Sequence, residues 1–235
     1  MKELLFKLWV LFLTVTAGYF NVLTLTLFGV PTSHHTGSLS NSVIHLFSGE
    51  YQLALKFIVV IVSYLIGAGL TGVIFKKREF VPNYWYGRLS FISALILLVC
   101  SKVTESIVVY IGIISLVMGM QNAKFIVYNN IVIRTAHMSG NLSDLGLAMG
   151  HFLIGNKREG WKVSLFFMIL SFYLIGCALS VILKQHTEIN MFWFGAFLYI
   201  LSGLIYYIYH RYFIIKLPLK RIMNKGKKQA RSQGN

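Results

Sequence analysis

The chain has 235 residues, 56% of them hydrophobic and only 12% charged, with a mean hydropathy of +0.68. Soluble domains carry about 25% charged residues, so this composition excludes a soluble globular enzyme and a largely disordered chain and points to an integral membrane protein. The formal net charge is +15, and the basic residues sit in short loops and the C-terminal tail, which reads as membrane topology rather than nucleic-acid binding.

In chain order, Met1–Phe20 has the basic start and apolar core of a signal peptide. The apolar run continues to Phe28, so the segment is expected to be retained as a first span, Leu4–Gly29. A polar stretch follows, Pro31-Thr-Ser-His-His-Thr-Gly-Ser, and then a short amphipathic segment, Leu39–Phe47. Spans are expected at Leu53–Phe75, at Tyr84–Ser101 and at Ser106–Tyr128. The Tyr84–Ser101 stretch reaches across only if Arg88 and Lys102 snorkel to opposite faces. A second polar stretch precedes a second amphipathic segment, Leu142–Phe152, and two more spans close the chain, Lys162–Leu183 and Met191–Ile214. The runs are too long, and too uniformly apolar, for the alternation of barrel strands. Residues 216–235 read as a disordered, polybasic cytoplasmic tail drawn to anionic lipid. Cys100 and Cys177 lie in apolar runs and make no CxxC or disulfide framework.

Six spans with the N-terminus inside leave only Lys56, Lys102 and Lys184 outside, out of 22 Lys and Arg. This asymmetry places both termini in the cytoplasm. If residues 36–48 also crossed, the Lys76-Lys77-Arg78 cluster would face outward, so that segment reads as re-entrant or interfacial.

The two halves repeat. Gly18-Tyr-Phe-Asn21-Val aligns with Gly119-Met-Gln-Asn122-Ala, and His34-His-Thr-Gly37-Ser-Leu-Ser-Asn41 with His137-Met-Ser-Gly140-Asn-Leu-Ser-Asp144. Tyr64-Leu-Ile-Gly-Ala-Gly-Leu70 aligns with Tyr173-Leu-Ile-Gly-Cys-Ala-Leu179. Each half, 1–103 and 104–215, holds three spans, so the second enters the membrane from the opposite side. The expected fold is an all-α integral membrane protein of six transmembrane helices in a 3+3 inverted-topology repeat, with a re-entrant or interfacial half-helix in each repeat. Such repeats place their sites where broken helices meet. The polar stretches cannot cross hydrocarbon facing lipid and must be buried in protein or line a cavity.

These blocks resemble the YoaK-like family of bacterial multi-span membrane proteins, a domain-of-unknown-function family. The family's second-half motif Gly-Met-Gln-Asn-Ala stands intact at residues 119–123. Its first-half motif Gly-Tyr-x-Asp-Ala is represented by Gly18-Tyr19-Phe20-Asn21-Val22, with Asn21 where the family often has Asp. Thr36-Gly37-Ser38 stands for Thr-Gly-Asn, and Ser139-Gly140-Asn141 is its mate. The resemblance spans about residues 10–210 and implies a bacterial cytoplasmic-membrane protein without assigning a mechanism. The lost Asp weighs against a cation-coupled role at that position.

The candidate solute-binding residues are Asn21, His34, Thr36, Ser38, Gln121, Asn122, Arg134, His137, Ser139, Asn141 and Asp144. Asn21 and Asn122 serve either interhelical hydrogen bonds, worth about 0.6 kcal/mol each, or contact with a solute; Gln121 belongs with them. Thr36, Ser38, Ser139 and Asn141 stand where N-caps of the half-helices would be, with the positive dipole ends aimed at a shared cavity. His34 and His137 suit protonation or anion contact, with His35 beside them. Lys124 and Arg134 either snorkel to the cytoplasm or attract an anion. Asp144 reads as a helix N-terminal charge or a coupling group. Gly18, Gly37, Gly119 and Gly140 are expected at helix breaks, with Gly37 and Gly140 in turns. The spacing of Ser63, Gly67 and Thr71, of Gly176 and Ser180, and of Gly146 and Gly150 marks helix-packing faces, and a homodimer is one assembly such faces serve.

No HExxH, GxSxG or paired carboxylate points to an enzyme, and no metal or other cofactor is expected. The expected function is a transporter or channel for a small polar or anionic solute, working among membrane lipids with no nucleic-acid partner. The alternative is a receptor or scaffold that binds a lipid or partner protein.

Overall fold

A computed structural model of the protein describes residues 1–103 and 105–232, as backbone only from residue 214 on. The described residues form eight α-helices and one two-stranded hairpin. The order is α1 (Lys2–Phe28), α2 (His35–Phe47), α3 (Tyr51–Ile74), α4 (Trp85–Val103), α5 (Ile107–Asn122), β1 (Ile126–Tyr128), β2 (Ile131–Ile133), α6 (Met138–Leu153), α7 (Gly160–His186) and α8 (Met191–Ser232). The tail expected from residue 216 lies outside the described side chains.

Local chemistry sets the boundaries. α1 stops at Gly29, whose φ of 75° is left-handed and whose N–H reaches back to the Leu25 carbonyl; Pro31 follows. Asn83 and Asn190 each accept backbone N–H groups at the start of α4 and α8, from Trp85 (2.9 Å) and from Phe192 and Trp193 (3.0 and 3.3 Å). The short strands of Ile, Val and Tyr are joined by Asn129-Asn130, both at positive φ, the two-residue turn such hairpins favour.

Among the described residues, five helices are long and apolar enough to cross a membrane: α1, α3, α4, α7 with the short turn before it, and the Met191–Phe213 part of α8. They mark a multi-pass membrane protein. α3 and α7 present large apolar side chains such as Leu65, Val73, Phe167 and Leu174 outward, a surface suited to lipid rather than water. The expected span at Ser106–Tyr128 differs. α5 has 16 residues, about 24 Å at 1.5 Å per residue against a hydrocarbon core of about 30 Å. Beyond it the chain turns into the hairpin. The half-helices also begin earlier than the apolar pattern implies, at His35 and Met138.

The helices pair between the halves. α1 and α7 run side by side in one direction: Leu11 lies near Leu165, Gly18 meets Tyr173, and Lys184 Nζ donates to the Thr26 carbonyl at 3.1 Å. α3 and α5 do the same, with Ser115 Oγ donating to the Val60 carbonyl (2.6 Å) and Thr71 Oγ1 to the Met120 carbonyl (3.1 Å). α4 and α8 run oppositely: Tyr206 donates to the Asn83 carbonyl at one end and Trp193 Nε1 to Ser101 at the other. α1 and α5 also oppose each other, since Phe28 stacks on Tyr110 while Gln121 Nε2 reaches the Leu13 carbonyl.

The close crossings rest on glycine. A Cβ at Gly18 would run into the Tyr173 carbonyl, and one at Gly119 into the Tyr64 carbonyl. A Cβ at Gly176 would meet the Val15 carbonyl and one at Gly67 that of Leu116. Gly18 and Gly119 therefore do not break helices; they sit inside α1 and α5 and let backbones touch. Gly37 and Gly140 are likewise helical, in the first turns of α2 and α6, and neither has positive φ. Their missing Cβ makes room for the rings of His34 and His137. The breaks lie instead at residues 29–34 and 123–137.

Candidate functional site

Asn21 and Asn122 stand near the C-terminal ends of α1 and α5 and clasp the chain just before each half-helix. Asn21 Oδ1 accepts from the Ser33 N–H (3.2 Å) and Ser33 Oγ (2.7 Å), and Asn122 Oδ1 accepts from the Ala136 N–H (3.2 Å). Each asparagine meets a tyrosine of the α3 or α7 crossing: Asn122 Nδ2 donates to the Tyr64 hydroxyl at 2.5 Å, and the Tyr173 hydroxyl stands beside Asn21 and Ser33. Tyr64, Tyr173 and Ser33 were not expected as site residues. Their signal was present, because both tyrosines open a repeated block.

His34 and His137, rather than the hydroxyl and amide residues after them, are the N-caps, and no side chain caps α2 or α6. Thr36, Ser38, Ser139 and Asn141 lie within the first turns. Ser38 Oγ donates back to the His34 carbonyl (3.1 Å) and Asn141 Nδ2 to the Arg134 carbonyl (3.2 Å). The first N–H groups of both half-helices are thus left without an internal acceptor. A cavity of about 270 Å³ joins the two N-termini: Ser33, His34, His35 and Thr36 line it from one half, and Ala136, His137 and Ser139 from the other. Tyr64, Asn122 and Arg134 complete the lining. Arg134 supplies the formal positive charge, with one guanidinium N–H 3.4 Å from the Asn122 carbonyl, and no carboxylate lines the cavity. Two helix N-termini, a guanidinium and four hydroxyl-bearing residues form a setting for negative charge. His35 packs on Tyr64 with ring centroids 3.8 Å apart, and both its ring nitrogens are buried without a hydrogen-bond partner. Burial, reinforced by His34, pushes its pKa down to about 4, so it is neutral near pH 7.

The remaining candidates fall elsewhere. Gln121 is buried and saturated: it donates to the Leu13 carbonyl and to Thr135 Oγ1, both at 2.9 Å, and accepts from Tyr199 at 2.8 Å. Ser38 and Asn141 are buried at helix starts outside the lining, and Asp144 is exposed on α6. Asn21 is held by Ser33 and does not line the cavity either. Lys124 does not snorkel; it is 2% exposed, with Nζ donating to Ser90 Oγ at 3.1 Å. Among the described residues no group of three His, Cys, Asp or Glu converges.

Residues 9–205 match the model of the family described as a protein of unknown function, DUF1275. No curated protein and no solved structure matches the chain. The chain belongs to the DUF1275 family.

Proposed function

We propose that this member of the family passes a small polar or anionic solute across a bacterial cytoplasmic membrane, through the cavity at the two half-helix N-termini. In this reading the chain is a six-span, 3+3 inverted repeat of the YoaK-like type with both termini cytoplasmic. The opposed directions of α1 and α5, and of α4 and α8, support the inversion. α5 serves as the sixth span despite its length, because most of its residues are buried in protein, where irregular backbone is tolerated at membrane depth. α2 and α6 are re-entrant, and their first N–H groups serve the solute rather than lipid.

One observation carries the reading: polar stretches about 100 residues apart in sequence line one cavity with Arg134 and without a carboxylate. Its 270 Å³ would hold about nine waters at roughly 30 Å³ each, room for a small oxyanion or organic acid and part of its hydration shell. Rocking of one half on the other about the glycine crossings would expose the cavity alternately.

Flux of chloride, nitrate, phosphate and small carboxylates into proteoliposomes tests this. A charge-assisted hydrogen bond is worth about 1.5–3 kcal/mol, so Arg134→Gln is expected to lower anion flux at least tenfold. Paired Asn21→Leu and Asn122→Leu should also abolish it by releasing both half-helices. Flux of every tested solute left unchanged by these variants would overturn the proposal. Solute-induced thermal stabilisation without any flux would favour a receptor instead.

A further inference from the structure

A second cavity, about 290 Å³, opens where the C-terminal end of α3 meets the turn between α5 and β1. Its lining brings together Lys77, Arg78, Lys124 and Arg134, with Thr71 and Phe75, and no carboxylate. Four basic side chains face one space, where like charges repel, and one of them is costly to charge by itself. The Lys124 ammonium is buried, its hydrogen bond goes to the neutral Ser90 hydroxyl, and none of the ion pairs among the described residues includes it. Burying an ammonium without a counter-charge is unfavourable. A bound anion would supply the missing charge.

We infer that this cavity is a binding site for a phosphate-type oxyanion, either free phosphate or the headgroup of an anionic phospholipid. Lys77 and Arg78 are exposed on the loop after α3 and form the mouth, while Lys124 forms the floor. Arg134 is shared with the half-helix cavity and is the residue through which the two spaces adjoin. The site does not depend on the transport reading, because occupancy here requires neither flux nor the half-helix N-termini.

The test is thermal unfolding of the full chain in neutral detergent, titrated with inorganic phosphate against chloride at matched ionic strength. A second arm uses phosphatidylcholine nanodiscs with and without phosphatidylglycerol. The site variant is Lys77→Gln with Arg78→Gln. The control, Lys76→Gln with Lys102→Gln, removes the same charge from positions outside the cavity lining. Phosphate or phosphatidylglycerol should stabilise the wild type and the control alike, and the site variant should bind at least tenfold more weakly. A response to phosphate identifies the free anion as sufficient. A response to phosphatidylglycerol alone identifies the lipid headgroup. Absence of both responses in the wild type, or equal responses in the site variant, overturns the inference. Transport assays read the other cavity, so failure here leaves that proposal standing.

Discussion

Two glycines on the same face-exposed helix separate backbone crossing from helix propensity. Gly67 of α3 faces α5, where a new Cβ would overlap the Leu116 carbonyl oxygen and sit 2.8 Å from its carbon and 3.1 Å from its Cα. Gly69, two residues on, has nothing within 4 Å of that position. Both change to alanine with the same gain in helix propensity, about 1 kcal/mol, which cancels between them. The difference isolates the crossing. Carbon contacts relax near 3.5–4.0 Å, so the helices must part by roughly 1 Å, and the obstacle is backbone that no rotamer change can move. Overpacking of this kind costs about 1–3 kcal/mol. For a chain of this size, about 2–4 °C accompanies each kcal/mol, so Gly67→Ala should unfold about 2–12 °C below Gly69→Ala. Gly176→Ala, at the α7–α1 crossing, should behave like Gly67→Ala because its Cβ meets the Val15 carbonyl in the same way. The assay is thermal unfolding in detergent, read by tryptophan fluorescence. Equal midpoints for the Gly67 and Gly69 variants would refute the reasoning. A harmless Gly176→Ala beside a damaging Gly67→Ala would refute the equivalence of the two crossings.

Gln121→Leu removes three hydrogen bonds to buried partners, at about 1 kcal/mol each; its midpoint should drop while flux per folded molecule is retained, and unchanged stability with lost flux would place Gln121 on the solute path instead. His35 is neutral in the native state with its pKa near 4, whereas the unfolded chain takes up the proton near pH 6.5. Its contribution to stability is therefore intact above pH 6.5 and is lost as pH falls toward 4. His35→Phe, which also removes two unpartnered nitrogens, should flatten the midpoint-against-pH curve between pH 4 and 6.5, and an unaltered slope would show that another group titrates there.

Much of the secondary structure was legible in the chain itself. The apolar runs from Leu4, Leu53, Tyr84 and Lys162 match α1, α3, α4 and α7 within a few residues, and the run from Met191 matches the Met191–Phe213 part of α8, because run length against membrane thickness is a local quantity. The hairpin at residues 126–133 was hidden within an apolar run; only Asn129-Asn130 between Ile-Val-Tyr and Ile-Val-Ile marked it. The half-helix starts are not legible in the sequence, because the hydroxyl and amide residues there suggest caps while the backbone turns at His34 and His137 with no side-chain cap.

The amino-acid sequence by itself determined that this is a membrane protein, that three of its blocks recur in the same order, and which polar stretches cannot face lipid. Those properties are sums over neighbouring residues. Tertiary structure alone decided that α1 pairs with α7 and α3 with α5, that Gln121 ties the core together while its neighbour Asn122 lines a cavity, and that Lys124 is buried beside Ser90. Adjacent residues on a helix point about 100° apart, and their partners lie as much as 172 positions away. Which one meets a cavity and which a backbone is settled by how closely glycine lets two helices approach, a distance that no run of composition encodes.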